Sequence, residues 1–247
     1  MLQPTIESLK NLRLFGMAKA LEEQHGNPDL QNMDFEDRLG FLVDRERLDQ
    51  DNRKLSIRLR RAKLGQTAAV EDIDFHTSRG LDKSLLTSLN SCAWVTSKIN
   101  ILITGPTGVG KSYLACALGQ KACREGFSVL YHRTTRLFCE LSMSRGDGRY
   151  LRLLKLLAQT DILVMDDWSI SPLNEENRRD MLEILEERHG KKSTILTSQL
   201  PIDSWHTHIN SPTYADAIMD RLVHNAYKIN LKGGSMRKNL TKTLNLK

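Results

Sequence analysis

Residues 101–112 have the sequence Ile-Leu-Ile-Thr-Gly-Pro-Thr-Gly-Val-Gly-Lys-Ser. A short run of apolar and β-branched residues leads directly into the pattern G-x-x-x-x-G-K-S, and a helical pattern follows over residues 113–124. Strand, glycine loop and helix together form the context in which this pattern binds phosphate. The three glycines let backbone N–H groups point inward, where no Cβ blocks a polyphosphate. The alternative, a glycine turn that binds nothing, would not require both flanking elements, so these residues predict binding of a nucleoside triphosphate.

The residues at the end of this loop predict how the phosphates are held. The following helix presents the positive end of its dipole to the loop. Lys111 can reach the terminal phosphates, and the hydroxyl of Ser112 can ligate Mg²⁺. We therefore expect the nucleotide to contact Gly105, Pro106, Thr107, Gly108, Val109, Gly110, Lys111, Ser112 and Tyr113.

Composition narrows the class of protein and its partners. The chain has 247 residues, a net charge of +6 and a pI near 9.2, which favours an anionic partner, nucleic acid first. The four cysteines fit neither a zinc nor a C-x-x-C pattern, so we expect reduced thiols in a cytosolic protein. Neither a signal peptide nor an apolar run of membrane-spanning length is present in the sequence, so we expect a cytoplasmic protein without a membrane partner.

The first part of the chain has helical periodicity only. Apolar residues recur at three- and four-residue steps over 5–25, which predicts one amphipathic helix, and a second helix is predicted from about 33 to 63. We expect residues 1–66 to form a helical domain that binds DNA or a partner, since it is too short to bury much core alone. Residues 67–75 are predicted to be an extended connector lying against the nucleotide site.

From residue 81 onward, predicted helices and strands alternate. Strands are expected at 99–104, 127–132, 161–168, 193–198 and 228–231, and helices at 81–89, 113–124, 135–143, 149–158, 175–189 and 213–225. This alternation predicts an α/β domain with a parallel sheet between helices, spanning residues 67–240, with a flexible tail at 241–247.

The predicted strand at 161–168 contains two adjacent carboxylates, Asp166 and Asp167. Parallel strands present ligands at their carboxyl ends, where phosphate-loop proteins hold the nucleotide. We expect Asp166 to complete the Mg²⁺ site opposite Ser112, and Asp167 to polarise the attacking water. Many ATPases with this arrangement have Glu at the second position, and the shorter Asp167 is consistent with slow hydrolysis.

Polar residues after the next strand are candidates for contact with the γ-phosphate. Gln199 or Ser198 could sense the phosphate or orient the water, although an ordinary polar strand end remains the alternative. Arg221 and Arg237 are candidates for stabilising the transferring charge, in the same subunit or from a neighbour. The sequence alone does not distinguish these arginines from surface arginines.

A basic block lies near the end of the second predicted helix. Residues 53–63 carry six positive charges and no acid. We expect phosphate contacts from this block, the alternative being a solvated helix face. The candidate DNA-contacting residues in it are Arg53, Lys54, Arg58, Arg60 and Arg61.

Four motifs and two flanking segments together resemble the IstB-like ATPases, which are transposition helper proteins within the AAA+ superfamily related to the DnaC helicase loader and the DnaA initiator. The segments are 105–112 (GPTGVGKS), 166–168 (DDW), 197–201 (TSQLP), 220–225 (DRLVHN), 71–75 (EDIDF) and 145–150 (RGDGRY). The resemblance covers residues from about 5 to about 238. It implies ATP as the nucleotide and an AAA+ fold.

The resemblance also implies roles for individual residues. Gln199 would stand at the first sensor position, Arg221 would be the finger inserted into the adjacent subunit's site, and Arg237 would be the second sensor. It implies ATP-dependent homo-oligomers on duplex DNA that help an IstA-type transposase to choose its target. An extra helix after the second strand would contact DNA through Arg133, Arg136, Arg145, Arg149 and Arg152.

Other functions share part of this sequence pattern. A DnaC-like helicase loader would use the same nucleotide site and dock a helicase through the N-terminal helices. A small-molecule kinase would need a substrate pocket and would leave those helices without a role. A binding protein that never hydrolyses ATP also remains open, given the short Asp167.

Overall fold

The computed structural model describes residues 2–27, 30, 33–75 and 79–236. Two predictions, the role of Arg237 and the flexible tail at 241–247, lie outside these residues. The chain divides into two compact units, Met1–Ile57 and Arg58–Lys247. This division falls within a helix and lies earlier in the chain than the predicted boundary after residue 66.

The first unit is helical. It contains α1 (Leu2–Asn11), α2 (Phe15–Gly26) and most of α3 (Phe35–Ala62), which continues into the second unit. The prediction of a single helix over 5–25 was therefore wrong, because the backbone turns at Arg13, where φ is 63°. Within this unit the buried carboxylate of Glu46 accepts the N–H groups of Gly16 at 2.7 Å and Met17 at 3.1 Å, which caps the start of α2.

The second unit contains a five-stranded parallel sheet in the order β2-β3-β4-β1-β5. Its strands are β1 (Asn100–Thr104), β2 (Val129–Arg133), β3 (Ile162–Asp166), β4 (Ser193–Ser198) and β5 (Ala226–Asn230). Strands β1, β3 and β4 are buried along their whole length, as expected for central parallel strands covered on both faces. The predicted α/β fold with N-terminal helices is confirmed.

Helices cover the sheet, and their bounds follow the predicted alternation. They are α4 (Lys83–Asn90), α5 (Ala93–Thr96), α6 (Lys111–Arg124), α7 (Thr134–Gly146), α8 (Tyr150–Gln159), α9 (Glu175–Arg188), α10 (Trp205–Ile209) and α11 (Pro212–Val223). The short helices α5 and α10, and the 3-10 turns at Val70–Asp72 and Ile202–Ser204, were not predicted, because four or five residues are too few to show helical periodicity.

The side chains of the central strands alternate between two cores. Leu102, Leu163 and Leu196 belong to a cluster with apolar residues of α7 to α11. The intervening residues, such as Ile103 and Val164, point to the opposite face because successive side chains of a strand alternate. Helix α6 packs against β1 to β4. Along the described residues, none of the helices is both long enough and apolar enough to cross a bilayer.

Candidate nucleotide site

A cavity of about 690 Å³ lies at the carboxyl edge of the sheet, beside the loop that joins β1 to α6. Its lining brings together residues from the loop, from the strand ends and from the connector before α4. They are Gly65, Gln66, Asp72, Asp74, Arg79, Thr107, Gly108, Gly110, Lys111, Ser112, Tyr113, Tyr131, Arg133, Asp166, Asp167, Ile170, Gln199 and Met236. Six of the nine predicted loop residues, the acidic pair and Gln199 thus face one cavity, whereas Gly105, Pro106 and Val109 do not line it.

The loop has the backbone conformation that its glycines predict. Gly105, Gly108 and Gly110 have φ values of 146°, 84° and 100°, in a region that residues with a Cβ rarely adopt. The Lys111 side chain lies inside the loop, where Nζ donates to the carbonyl oxygens of Gly105 and Pro106, each at 2.8 Å. Burial lowers the pKa of Lys111, although the nearby carboxylates of the acidic pair favour its charged form.

Two of these glycines are also required by the chain that follows β5. A Cβ on Gly105 would lie 2.2 Å from the carbonyl oxygen of Leu231, and one on Gly108 would lie 2.4 Å from Oγ of Ser235. The N–H of Met236 donates to the carbonyl oxygen of Gly108 at 2.9 Å. The loop is therefore packed from outside by residues 231–236, a contact that the sequence pattern did not predict.

Asp166 lies at the end of β3 and is only 1% exposed. Its Oδ1 accepts hydrogen bonds from Oγ of Ser112 at 2.9 Å and from Oγ1 of Thr197 at 2.5 Å. Its Oδ2 accepts from the hydroxyl of Tyr131 at 2.6 Å. Burial is the main cause that raises the pKa of Tyr131, and this hydrogen bond to a carboxylate raises it further. The phenol therefore remains protonated and donates.

Asp167 has a left-handed backbone with φ of 58°. Its N–H donates to Oγ1 of Thr197 at 2.9 Å, and the next N–H, of Trp168, donates to the carbonyl oxygen of Thr197 at 3.0 Å. The backbone of Asp167 is thus attached to β4 while its half-buried side chain lines the cavity. The two adjacent carboxylates thus face the nucleotide site from different backbone conformations, extended at Asp166 and left-handed at Asp167.

The two polar residues considered at the end of β4 have different positions. Gln199 lines the cavity, and its Oε1 accepts a hydrogen bond from Oγ1 of Thr107 at 2.7 Å. Ser198 is fully buried, and its hydroxyl is hydrogen-bonded to Oγ of Ser169 and to the carbonyl oxygen of Leu200. Of the two, only Gln199 has a side chain that joins the phosphate loop.

Sequence reasoning missed several residues of the cavity. Arg79 is 7% exposed and donates to the carbonyl oxygens of Val109 at 3.2 Å and Asp74 at 2.6 Å. It therefore links residues 67–75 to the phosphate loop. Asp72 also lines the cavity, which agrees with the expectation that the connector lies against the site. No motif marks Arg79 or Tyr131, because both act through contacts between segments that are distant in sequence.

The chemistry of the acidic edge fits a hard divalent cation held partly by phosphates. Within the described ranges, no group of three or more His, Cys, Asp or Glu side chains could hold a metal alone. Ser112 and Asp166 supply one hydroxyl and one carboxylate within 2.9 Å of each other. Mg²⁺ is usually bound by one or two carboxylates together with substrate phosphates and water, so this pair is suited to it.

Arg221 lies at the opposite edge of the sheet. Its carbonyl oxygen accepts a hydrogen bond at 3.0 Å from Asn100, the first residue of β1, whereas the phosphate loop follows the last residue of that strand. Its guanidinium donates to the carbonyl oxygen of Ala217 at 2.8 Å and pairs with Glu186. A rise of about 3.3 Å per residue separates the two ends of β1 by roughly 13 Å, and Arg221 does not line the cavity.

The candidate DNA-contacting residues of the basic block differ in how far they are already paired. Arg53 pairs with Asp49 at 2.8 Å and Glu46 at 3.2 Å, and Lys54 pairs with Asp51 at 3.6 Å. In the second unit, Arg58 donates to the carbonyl oxygen of Cys123 at 2.8 Å. The exposed residues without an ion pair among the described residues are Arg60 and Arg61.

The arginines of α7, α8 and the turn between them also differ in whether they already form ion pairs. Arg145 stacks 4.2 Å from the ring centre of Tyr150 and pairs with Glu176 at 2.5 Å and with Asp180. Arg149 pairs with Asp147 at 2.5 Å. The charge of Arg145 is thus neutralised within the chain, so Arg145 is not available for contact with DNA phosphates.

The remaining three arginines of this region are exposed. Arg136 lies on α7 and Arg152 on α8, and neither forms an ion pair within the described part of the chain. Arg133, at the end of β2, instead lines the nucleotide cavity. Arg133 is therefore exposed and also borders the nucleotide cavity.

Comparison with known proteins agrees with this site. The family described as IstB-like ATP binding protein matches residues 7–243. An insertion sequence ATP-binding protein of Sinorhizobium fredii is 51% identical over 236 residues, covering 96% of this chain and 96% of that protein. The IS21 ATP-binding protein of Pseudomonas aeruginosa is 31% identical over 236 residues, covering 96% of this chain and 88% of that protein.

Solved structures share the fold. AMPPCP-bound DnaA from Aquifex aeolicus has a TM-score of 0.58 at 18% identity, covering 75% of this chain and 58% of that chain. The DnaC helicase loader has a TM-score of 0.53 at 18% identity, covering 67% of this chain and 97% of that chain. Together with the phosphate loop and acidic pair, these findings identify an ATP-binding P-loop ATPase with the AAA+ fold, and the chain belongs to the IstB-like ATP-binding protein family.

Proposed function

We propose that this protein is an ATP-dependent DNA-binding regulator that assembles as a homo-oligomer on duplex DNA and assists an IstA-type transposase in target selection and DNA transposition. ATP hydrolysis then drives disassembly. The observation that carries the proposal is the separation of the ATP cavity from Arg221, which lies at the far edge of the same sheet. A site that needs this arginine can be completed only by a second subunit.

In the proposed mechanism, the N–H groups of the phosphate loop and Lys111 bind the phosphates. Ser112 and Asp166 would hold Mg²⁺, which would supply neutralisation of the phosphate charge. Asp167 accepts a hydrogen bond from the attacking water, and Gln199 orients that water or senses the γ-phosphate. Arg221 of the neighbouring subunit stabilises the negative charge of the transition state.

The proposed DNA surface uses the exposed arginines of α7 and α8, led by Arg136 and Arg152, and the basic residues Arg60 and Arg61. Such residues contact phosphates and carry no sequence information, so binding is largely independent of sequence. The net charge of +6 is consistent with this role. The family relatives named for insertion sequences favour a transposase as partner over a helicase, which remains the second candidate because the fold resembles the DnaC helicase loader.

Assembly on DNA as a function of nucleotide tests the proposal. The full chain with Mg²⁺ and a labelled duplex is measured by anisotropy and sedimentation with ATP, with ADP and without nucleotide. We expect large DNA-bound assemblies with ATP only. In a salt titration, the DNA association constant falls as salt rises, and the steepness of its log–log plot is measured. Arg136→Ala and Arg152→Ala should each reduce this steepness by about 1, whereas the exposed control Arg179→Ala should leave it unchanged.

Two results would contradict the proposal. If the size and DNA retention of the protein are the same with all three nucleotide conditions, ATP does not control assembly. If the N-terminal helices retain a hexameric helicase and not the transposase in a binding assay with purified partners, the helicase-loader function replaces transposition.

A further inference from the structure

The carboxylate of Asp166 is held by three hydroxyl groups, and they are not equivalent. Ser112 and Thr197 both donate to Oδ1, at 2.9 Å and 2.5 Å. Among the described residues, Tyr131 alone donates to Oδ2, at 2.6 Å. Because the carboxylate is 1% exposed, loss of a hydrogen bond at Oδ2 is costly. The phenol therefore holds the Oδ2 side of the carboxylate, while the two hydroxyl groups hold the Oδ1 side.

Tyr131 is placed to do this by strand pairing. It lies on β2 opposite Val164 of β3, two residues before Asp166 in the neighbouring strand. Residues two apart on one strand share a face, and a tyrosine is long enough to reach a diagonal neighbour. The phenol thus extends along the face of the sheet towards the carboxyl edge, where it meets Asp166.

The phenol is itself positioned by Gly65. A Cβ at Gly65 would lie 2.5 Å from the Tyr131 hydroxyl oxygen, 2.6 Å from Cζ and 2.8 Å from Cε1. No side chain at position 65 fits without moving the ring.

We infer that Tyr131 is a positioning residue for the Mg²⁺ site. It holds Oδ2 of Asp166 so that Oδ1 faces Ser112, and Asp166 and Ser112 are the residues that would bind Mg²⁺. Gly65 leaves the space that the phenol occupies. The inference rests on the Mg²⁺ site proposed above. Side chains that hydrogen-bond to a metal-binding carboxylate in this way typically change metal affinity by about 10- to 100-fold. Tyr131 does not touch the phosphates through this contact, so it affects the metal more than the nucleotide.

The test compares Tyr131→Phe with Tyr227→Phe, a matched control on β5 whose strand partner is Ile101 and which is outside the cavity. Mn²⁺ binding to the protein–ATP complex is measured by electron paramagnetic resonance, and fluorescent-ATP affinity is measured in EDTA. We expect Tyr131→Phe to weaken Mn²⁺ binding about 10- to 100-fold while nucleotide affinity in EDTA stays within about threefold. Tyr227→Phe should match the wild type in both.

A second variant tests the part played by Gly65. Gly65→Ala keeps the phenol but displaces it, so it should weaken Mn²⁺ binding in the same direction, and combination with Tyr131→Phe should add little. Equal Mn²⁺ affinity in Tyr131→Phe and wild type would overturn the inference. If the wild type itself shows no Mn²⁺ binding with ATP, the proposed metal site fails instead, and the two failures are thus distinguished.

Discussion

Asp167 has a backbone conformation that few side chains accept. Its φ of 58° lies in the left-handed region, where Asp and Asn are several-fold enriched among non-glycine residues. The short side chain that distinguishes this chain from ATPases with Glu at this position is therefore suited to the local backbone. The N–H bond to Thr197 holds the turn in place, so the carboxylate is presented to the cavity from a fixed position.

Replacement of Asp167 by Asn separates chemistry from folding. Asn accepts the same backbone conformation and has nearly the same volume, so the protein should fold and bind ATP. Loss of the base should lower the hydrolysis rate by roughly 10²- to 10⁴-fold. Phosphate release and fluorescent-ATP binding are the measurements, with Asp203→Asn as the exposed control. Hydrolysis at the wild-type rate would remove Asp167 from the proposed role.

Among the elements, the predicted alternation of strands and helices was confirmed because each central strand is a short apolar run bounded by a turn. The break between α1 and α2 was not predictable in the same way. The N–H of Leu14 bonds to the carbonyl of Leu9 and that of Arg13 to the carbonyl of Lys10, which is a Schellman motif. Its left-handed position usually holds Gly, and Arg13 gives no such indication.

The candidate site was predictable to the extent that local motifs define it. Most of the loop residues and the acidic pair line one cavity because they lie at or after the strand ends of a parallel sheet. Tyr131 and Arg79 were not predictable, since their roles depend on which segments are packed together. Arg188 is a third residue whose role depends on the packing of distant segments, and this role is in stability.

Arg188 ends α9 and is 1% exposed. Its guanidinium donates to acceptors at the start of β3, the start of β4 and the end of α8, so one side chain joins three elements. The acceptors are the carbonyl oxygens of Leu157, Thr160, Asp161 and Ser193 and Oγ1 of Thr194. The edge of the sheet opposite the nucleotide is thereby fixed by a residue that the sequence pattern marks only as a basic helix end.

Replacement of Arg188 by Met should destabilise the second unit by roughly 2–4 kcal/mol, because several buried acceptors lose their donor. All 3 tryptophans, Trp94, Trp168 and Trp205, lie in this unit, so tryptophan fluorescence during urea unfolding reports it specifically. We expect a midpoint about 1 M urea or more below the wild type. The control Arg179→Met, on the same helix and 65% exposed, should leave the midpoint nearly unchanged. A similar midpoint for both variants would show that the Arg188 network adds little stability.

At the scale of the whole molecule, one subunit has an ATP cavity at one edge of its sheet and Arg221 at the other. Arg221 is held by Glu186, whose carboxylate is 57% exposed, and by the carbonyl of Ala217. An ion pair with an exposed carboxylate contributes little to stability, so in the proposed assembly a neighbouring subunit's phosphate would compete for the guanidinium. Two polar edges of this kind are suited to head-to-tail assembly, in which each interface joins one cavity to one arginine.

Mixing two inactive variants tests whether Arg221 acts on the neighbouring subunit. Arg221→Ala retains its ATP cavity, and Lys111→Ala retains its arginine but loses the lysine that binds the phosphates. Each variant alone should hydrolyse ATP at least 10³-fold more slowly than the wild type, since an arginine finger contributes about 10³–10⁵ to kcat. In a random one-to-one assembly on DNA, roughly one interface in four joins an intact cavity to an intact arginine, so activity should return to a sizeable fraction of wild type.

Mixing Arg221→Ala with the Lys111→Ala/Arg221→Ala double variant should restore nothing, because no arginine is available. If the first mixture also remains inactive while it assembles on DNA as the wild type does, Arg221 does not complete a neighbour's site, and the separation of the two edges has another cause.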